Sequence, residues 1–259
     1  MYSIIKIFCL LVFLLFFNFF DSQSTIVEYQ FKTIQDTKRE LLIYNKESAF
    51  YFDYVKEDNL MAKEILDNYD ISKGGQKMFR NLTNPNSIKL IKAFPKTREQ
   101  CIINDEKYKI DWKLGNEKQN ILGFSCHNAI GEFRGRRYVV WFTYQIPVSL
   151  GPWKLDGLPG LILKVEDKDG VNGYEATQII NQSTNGIPKS VYAFMDDYDK
   201  TKIILYKNYI DKENDYLKAI QQQSLAYIPK GVTNYTVPYF RSAMREYNFE
   251  WNNFEPQKP

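Results

Sequence analysis

The chain has 259 residues, 44% of them apolar and 16% aromatic, enough to bury a sizeable core and a composition that leans towards pleated, half-buried strands. Lys and Arg number 34 against 31 Asp and Glu, and the resulting charge of +3, without a clustered basic run, gives no basis for a nucleic-acid partner. One histidine is present, and no Walker A, dinucleotide, G-x-S-x-G or H-E-x-x-H pattern, which removes the usual sequence routes to nucleotide, serine-hydrolase and zinc-peptidase chemistry.

Residues 1–24 read as a signal peptide. Lys6 supplies the basic start, Ile7 to Phe20 are apolar apart from Asn18, and Ser22-Gln23-Ser24 places small residues for cleavage before Thr25. The apolar run falls short of the roughly 20 residues a spanning helix needs, and Cys9 lies inside it, which argues against a membrane anchor or a lipoprotein site. The expected product is one exported β-rich domain, residues 25–259, with no transmembrane span after cleavage. It retains Cys101 and Cys126, and an even pair outside the cytoplasm is expected to form a disulfide. Closing a loop of about 25 residues would stabilise the fold by roughly 3 kcal/mol.

Thr25 to Ile34 alternates as a strand. Leu41–Tyr44 and Ser48–Phe52, parted by Asn45-Lys46-Glu47, read as a hairpin. Asp58–Asp67 has helical spacing, and Gly74-Gly75 breaks the chain. Lys77–Leu82 and Ile88–Phe94 are short strands split by Asn84-Pro85-Asn86. Cys101–Trp112 holds one or two strands with a turn at Asn104-Asp105. Asn120–Phe133 is a long strand or a hairpin around Gly131. Arg137–Ile146 alternates most clearly and stops at Pro147. Gly160–Glu166 and Gly173–Ile180 pair across Asp167–Gly170. Lys200–Gln223 is helical, Lys230–Pro238 returns to turn and strand, and 252–259 is a polar tail.

The expected fold is therefore mainly β (α+β): a curved antiparallel sheet or half-open β-barrel with one or two packed helices. Gly151, Pro152, Gly157, Leu158, Pro159 and Gly160 are expected to form a rigid corner between two strands. The prolines fix φ and extend the residue before them, and the glycines permit left-handed backbone or close approach.

Arg134, Arg136 and Arg137 lie beside Trp141 and lead towards Trp153 and Asp156. A guanidinium can grip a carboxylate or stack on an aromatic ring. Arg134, Arg136, Trp141, Trp153 and Asp156 are thus either a ligand-binding clamp or an internal stack that stiffens the corner. Asp156, Glu166 and Asp167 are either solvated carboxylates or, as a facing pair, the acid and base of a hydrolase. His127 follows Cys126 and so points to the opposite face of a strand, away from any Cys–His pairing. No metal or cofactor site is suggested.

Gly157-Leu158-Pro159-Gly160-Leu161-Ile162 spells GLPGLI, and the chain resembles the GLPGLI family of Gram-negative envelope proteins, whose function is not established. Ile121–Ala129 resembles the family's I-x-G-x-x-C-x-x-A strand. Phe133-Arg134-Gly135-Arg136, Trp141-Phe142-Thr143, Ile146-Pro147 and Gly151-Pro152-Trp153 are similar to the next blocks. Tyr247-Asn248 with Glu250 resembles its Y-N-x-x-E ending, the acid one place early. The resemblance implies a periplasmic or outer-membrane-associated or extracellular protein, often found beside TonB-dependent outer-membrane transporters, and its strand order resembles lipoprotein-carrier half-barrels. Three functions stay open: a non-catalytic binder of an apolar or peptidic ligand serving uptake or assembly, an exported carboxylate hydrolase, and a structural module contacting a partner.

Overall fold

The computed structural model describes residues 23–34, 36–54, 61–73, 75–106, 109–183, 186–198, 200–226 and 244–251. Residues 1–22 of the expected signal peptide, the Lys230–Pro238 strand and the polar tail lie outside the described residues. Twelve strands are present among them: β1 (Ser24–Thr33), β2 (Thr37–Tyr44), β3 (Ser48–Tyr54), β4 (Lys77–Asn81), β5 (Ser87–Ala93), β6 (Gln100–Glu106), β7 (Lys113–Ile121), β8 (Phe124–Phe133), β9 (Arg136–Thr143), β10 (Leu161–Asp167), β11 (Asn172–Ser183) and β12 (Ile204–Leu205). Three helices accompany them: α1 (Ala62–Asp67), α2 (Lys189–Asp197) and α3 (Tyr206–Ala226). None of the described helices is long and apolar enough to cross a membrane.

The strands form one open sheet in the order β12-β6-β5-β4-β3-β2-β1-β11-β10-β9-β8-β7. It consists of two meanders, β1 to β6 and β7 to β11, joined where β1 pairs antiparallel with β11, for example Tyr29 opposite Ala176 and Phe31 opposite Tyr174. The sheet is mixed because β12 runs parallel to β6. The mainly β, half-open sheet with packed helices agrees with the expectation.

Period-2 alternation divides the apolar residues between two cores. On β2, Leu41 and Ile43 enter one cluster while Leu42 and Tyr44 enter the other; on β3, Phe50 and Phe52 part from Ala49 and Tyr51 in the same way. The outer cluster is closed by α1 through Ala62, Ile65 and Leu66, and by α2 through Val191. Glu64 helps to start α1 by accepting from the Met61 N–H at 2.8 Å, one half of a capping box. The inner cluster receives Tyr206, Tyr209 and Ile210 from α3.

The inner face is concave, and one contact demonstrates it. Arg134, in the β8–β9 turn, donates to Asp105 of β6 at 2.7 Å. Eight strand spacings separate β9 from β6, about 40 Å in a flat sheet, so the sheet wraps round until its two halves meet.

Three local expectations are corrected, at Asn104-Asp105, at Gly131 and at Ile204-Leu205, which form β12 and not part of the expected Lys200–Gln223 helix. Asn104-Asp105 is not a turn: both residues lie in β6, opposite Lys89 and Ile88 of β5. The polar pair is there because Asn104 accepts from Lys89 at 2.5 Å and Asp105 takes buried cations. Gly131 lies inside β8, where the Trp112 ring covers it: a Cβ would stand 2.6 Å from Trp112 Cε3. The chain turns instead at Leu122-Gly123, both at positive φ, a two-residue hairpin of the kind that matches strand twist. Helix α2 was not foreseen; Val191 is the fully buried residue of its nine, so it carries little periodic signal.

Candidate functional site

The corner is buried rather than exposed. Leu161 N donates to Ile146 O at 3.0 Å and Ile162 N to Leu150 O at 2.9 Å, which folds residues 146–162 back on themselves. Gly160 is required here for proximity: a Cβ would lie 2.1 Å from the Thr143 carbonyl oxygen. Gly157 supplies left-handed backbone at φ +97°. Trp153 also has positive φ, +54°, although it is not glycine, and its side chain is 1% exposed. Its surroundings compensate the strain. Phe133 packs edge-on at 5.6 Å, and Arg80 of β4 donates to its carbonyl at 2.5 Å.

Arg80 also donates to Asp156 Oδ2 at 2.5 Å, both side chains being buried. The Asp156 carbonyl in turn accepts from Trp112 Nε1 at 2.7 Å. Beside this pair lies a cleft of about 270 Å³, walled by Leu82, Pro85, Ile88, Val148 and Leu150, with Ser87 and Ser149 at its polar points.

Deeper in, a layer of charge lines the concave face. Arg134, at φ +43°, is 6% exposed and meets Asp105 at 2.7 and 2.9 Å, Glu250 at 2.9 and 3.1 Å, and Glu246. Its guanidinium lies about 5 Å from the ring centres of Phe133 and Tyr206. Lys154 reaches Asp105 at 2.7 Å and Glu246 at 2.8 Å, and stands over Tyr206. Burial works against the Glu246 charge, but Lys154 and Arg134 outweigh it and hold the carboxyl well below its ordinary value. Burial likewise opposes the Arg134 charge, and Asp105 and Glu246 more than restore it. The Tyr206 phenol, pushed upward by burial and by Glu246, stays protonated and donates to Glu246.

Glu246 and Glu250 belong to residues 244–251, which join no strand of the sheet yet lie across its inner face. Arg136 donates to the Met244 carbonyl at 2.5 and 3.0 Å and to Asp167 at 3.1 Å. Tyr247 N and Asn248 N both donate to the Arg134 carbonyl, at 3.2 and 3.3 Å. The shortened Y-N-x-E spacing therefore still works: the Tyr-Asn amides take the Arg134 carbonyl and Glu250 takes its guanidinium.

The structure brings together four of the five residues expected to bind a ligand, Arg134, Arg136, Trp153 and Asp156, and satisfies their polar groups largely from within. Trp141 is elsewhere: alternation turns it to the opposite face of β9 from Arg136, under the Lys164 amine 5.1 Å away. Asp156, Glu166 and Asp167 each meet a cation, Arg80, Lys164 and Arg136 respectively. His127 rests edge-on against Tyr144. Among the described residues no His, Cys, Asp and Glu group is arranged to hold a metal ion.

The expected disulfide is not formed. Cys101 on β6 and Cys126 on β8 are both free and buried, and each thiol is pushed up to about 11, chiefly by burial. Cys101 Sγ donates instead to Lys92 O at 3.4 Å, and Cys126 Sγ to Phe124 O at 3.5 Å.

Arg80, Asp105, Lys154 and Glu246 carry the site but were not singled out. The available signal was a charge at an inward position of an apolar strand, as with Arg80 in Lys77-Met78-Phe79-Arg80 and Asp105 after Cys101-Ile102-Ile103.

No protein with a curated description matches the chain. The fold is similar to the solved structure of PNGF-II in space group C2, with a TM-score of 0.53 and 19% identity over 73% of this chain. This chain covers 32% of that one, so it spans about a third of its relative's length. The P21 form of PNGF-II gives a TM-score of 0.48 at 21% identity, over 62% of this chain and 29% of that one. The Pseudomonas aeruginosa MucA/MucB complex gives 0.32 at 12%, over 63% and 53%, too distant to support an argument. A family model described as "Protein of unknown function (Porph_ging)" matches residues 134–164, the stretch from the β8–β9 turn through the corner into β10.

Proposed function

We propose that this is a non-catalytic exported envelope protein that binds an apolar or peptidic group in the corner cleft, as an accessory to outer-membrane uptake or assembly. The mature chain, freed of residues 1–24, acts as a single domain, and a TonB-dependent transporter is the partner that the sequence resemblance suggests.

One observation carries the proposal: the cleft has aliphatic walls, and the charged groups that line it among the described residues, Arg80 and Asp156, neutralise one another at 2.5 Å. An apolar recess with a few fixed polar points suits orientation of a ligand. Acid–base chemistry would instead call for a titratable group left poised at the cleft. The carboxylates that a hydrolase would use are each tied to a cation.

Native mass spectrometry of the chain purified from its own envelope tests this. A retained apolar or peptide mass, lost when Ser87→Trp fills the cleft, is the expected result. Retention unchanged by Ser87→Trp, or no retained mass at all, would reject the cleft as the binding site.

A further inference from the structure

Arg245 enters a cage built from the sheet, the corner and Gln76, without any help from the rest of residues 244–251. Its guanidinium carbon lies 3.9 Å from the ring centre of Phe31 on β1, 5.5 Å from Tyr174 on β11 and 5.9 Å from Trp153 of the corner. Phe31 and Tyr174 pack together at 4.7 Å, so two walls support one another. At the base, Glu40 of β2 accepts from Arg245 Nη2 at 2.6 Å, and Gln76 accepts from Nη1 at 3.3 Å. The Tyr51 hydroxyl donates to the second Glu40 oxygen.

The chemistry of this cage selects a planar cation. Glu40 is fully buried, and burial pushes its carboxyl upward while Arg245 opposes the shift. A carboxylate so placed needs a cation that also hydrogen-bonds. A guanidinium can lie flat on Phe31 while its edge reaches Glu40 and Gln76; an ammonium cannot do both. At the neighbouring position Lys154 and Arg134, which already share Asp105, also receive Glu246. Together the two positions hold Arg245 and Glu246 side by side.

The occupant is held differently from the cage. Residues 244–251 contribute no ladder, so their departure leaves every strand pairing intact. The Arg245 side chain is 18% exposed, against 0% for Glu40 beneath it, and beside it opens a cavity of about 340 Å³ lined by Phe31, Gln76, Trp153 and Tyr206 among others. Trp153 Nε1 and Tyr174 Oη, both buried, have no hydrogen-bond partner among the described residues. These are two donors in the cage walls that Arg245 leaves unused.

We propose that this cage is an exchangeable site for the arginine of a peptide, filled here by the chain's own Arg245, and that peptides carrying an Arg-Glu pair compete with residues 244–251 for it. Self-occupancy weakens the apparent affinity for an outside peptide by the fraction of time the site is free.

The test uses the full exported chain and a fluorescent peptide with the sequence of residues 244–251, read by anisotropy. The Arg245→Ala chain should bind the peptide saturably, about tenfold or more tightly than the unaltered chain does, because its guanidinium position is vacant and only its Glu246 has to be displaced. The same peptide with Arg245→Ala should bind neither. Binding should survive Ser87→Trp, which separates this site from the corner cleft. Equal affinity for both chains, equal binding of the arginine-free peptide, loss of binding on Ser87→Trp, or no binding to the Arg245→Ala chain would each overturn the proposal. If the Arg245→Ala chain does not fold alone, the intact peptide should restore its native tryptophan emission, and failure to do so overturns the proposal equally.

Discussion

The outer face of the sheet is closed with hydrocarbon and rings, whereas the inner face interleaves hydrocarbon with charge. Outside, Ile26, Leu41, Ile43, Phe50 and Phe52 meet Ile65 and Val191 of two short helices. Inside, Val27, Tyr29 and Leu42 share their space with Arg134, Arg136, Lys154 and Glu246, all buried. The difference follows from what each face must do. The outer face only has to exclude water, and any well-shaped apolar side chain achieves that. The inner face has to bring β6, the β8–β9 turn, the corner and the last residues into one arrangement. Ion pairs with defined hydrogen-bond geometry discriminate among arrangements where apolar contacts do not, at the cost of desolvating each charge.

The comparison is best broken at Arg134. Arg134→Ala would leave Asp105 and Glu246 sharing Lys154 and would take the guanidinium from Glu250, and a loss of about 3–5 kcal/mol in urea unfolding is expected. Trp153→Ala empties a buried site and should cost a similar 3–5 kcal/mol or so, somewhat less if the corner closes over the space. Outside, Ile43→Val should cost only about 0.5–1.5 kcal/mol, because it removes one methylene and no partner.

Acid should separate the two faces further. With its carboxyl held below the ordinary 4.5, Glu246 binds fewer protons folded than unfolded, so its contribution is present above that value and is lost as pH falls below it. Glu40, raised by burial, works in the opposite sense, losing stability as pH rises through its elevated value. Glu246→Gln should therefore flatten the fall in unfolding midpoint between about pH 5 and about pH 3, whereas Ile43→Val should leave that slope unchanged. The smallest effect concerns the thiols. Adding reductant, or replacing Cys101 by Ser, should not reproduce the roughly 3 kcal/mol loss that breaking a 25-residue disulfide loop would cause. A melting temperature unchanged by reductant checks it.

Strand positions were legible because alternation is local: Leu41–Tyr44 and Ser48–Phe52 announce a half-buried pair whatever lies beyond them. Asn104-Asp105 carries turn chemistry locally, and the cations that hold Asp105 in a strand lie 29 and 49 positions further along the chain. Arg134 and Trp153 were legible as candidates, but their role was not. Their partners Glu246 and Arg245 come from the far end of the chain, in a stretch whose only local signal was the Tyr247-Asn248 resemblance.

By itself, the amino-acid order determined a β-rich chain with a stiff bend at Gly151–Gly160, since strand alternation and the backbone limits of Gly and Pro act within a few residues. Tertiary structure alone decided which charges are buried together, that Cys101 and Cys126 stay apart, and that Arg245 fills a cage of Phe31, Tyr174 and Trp153 over Glu40. Each of those outcomes depends on how far a twelve-stranded sheet curls, a quantity summed over every strand pair and written in none of them.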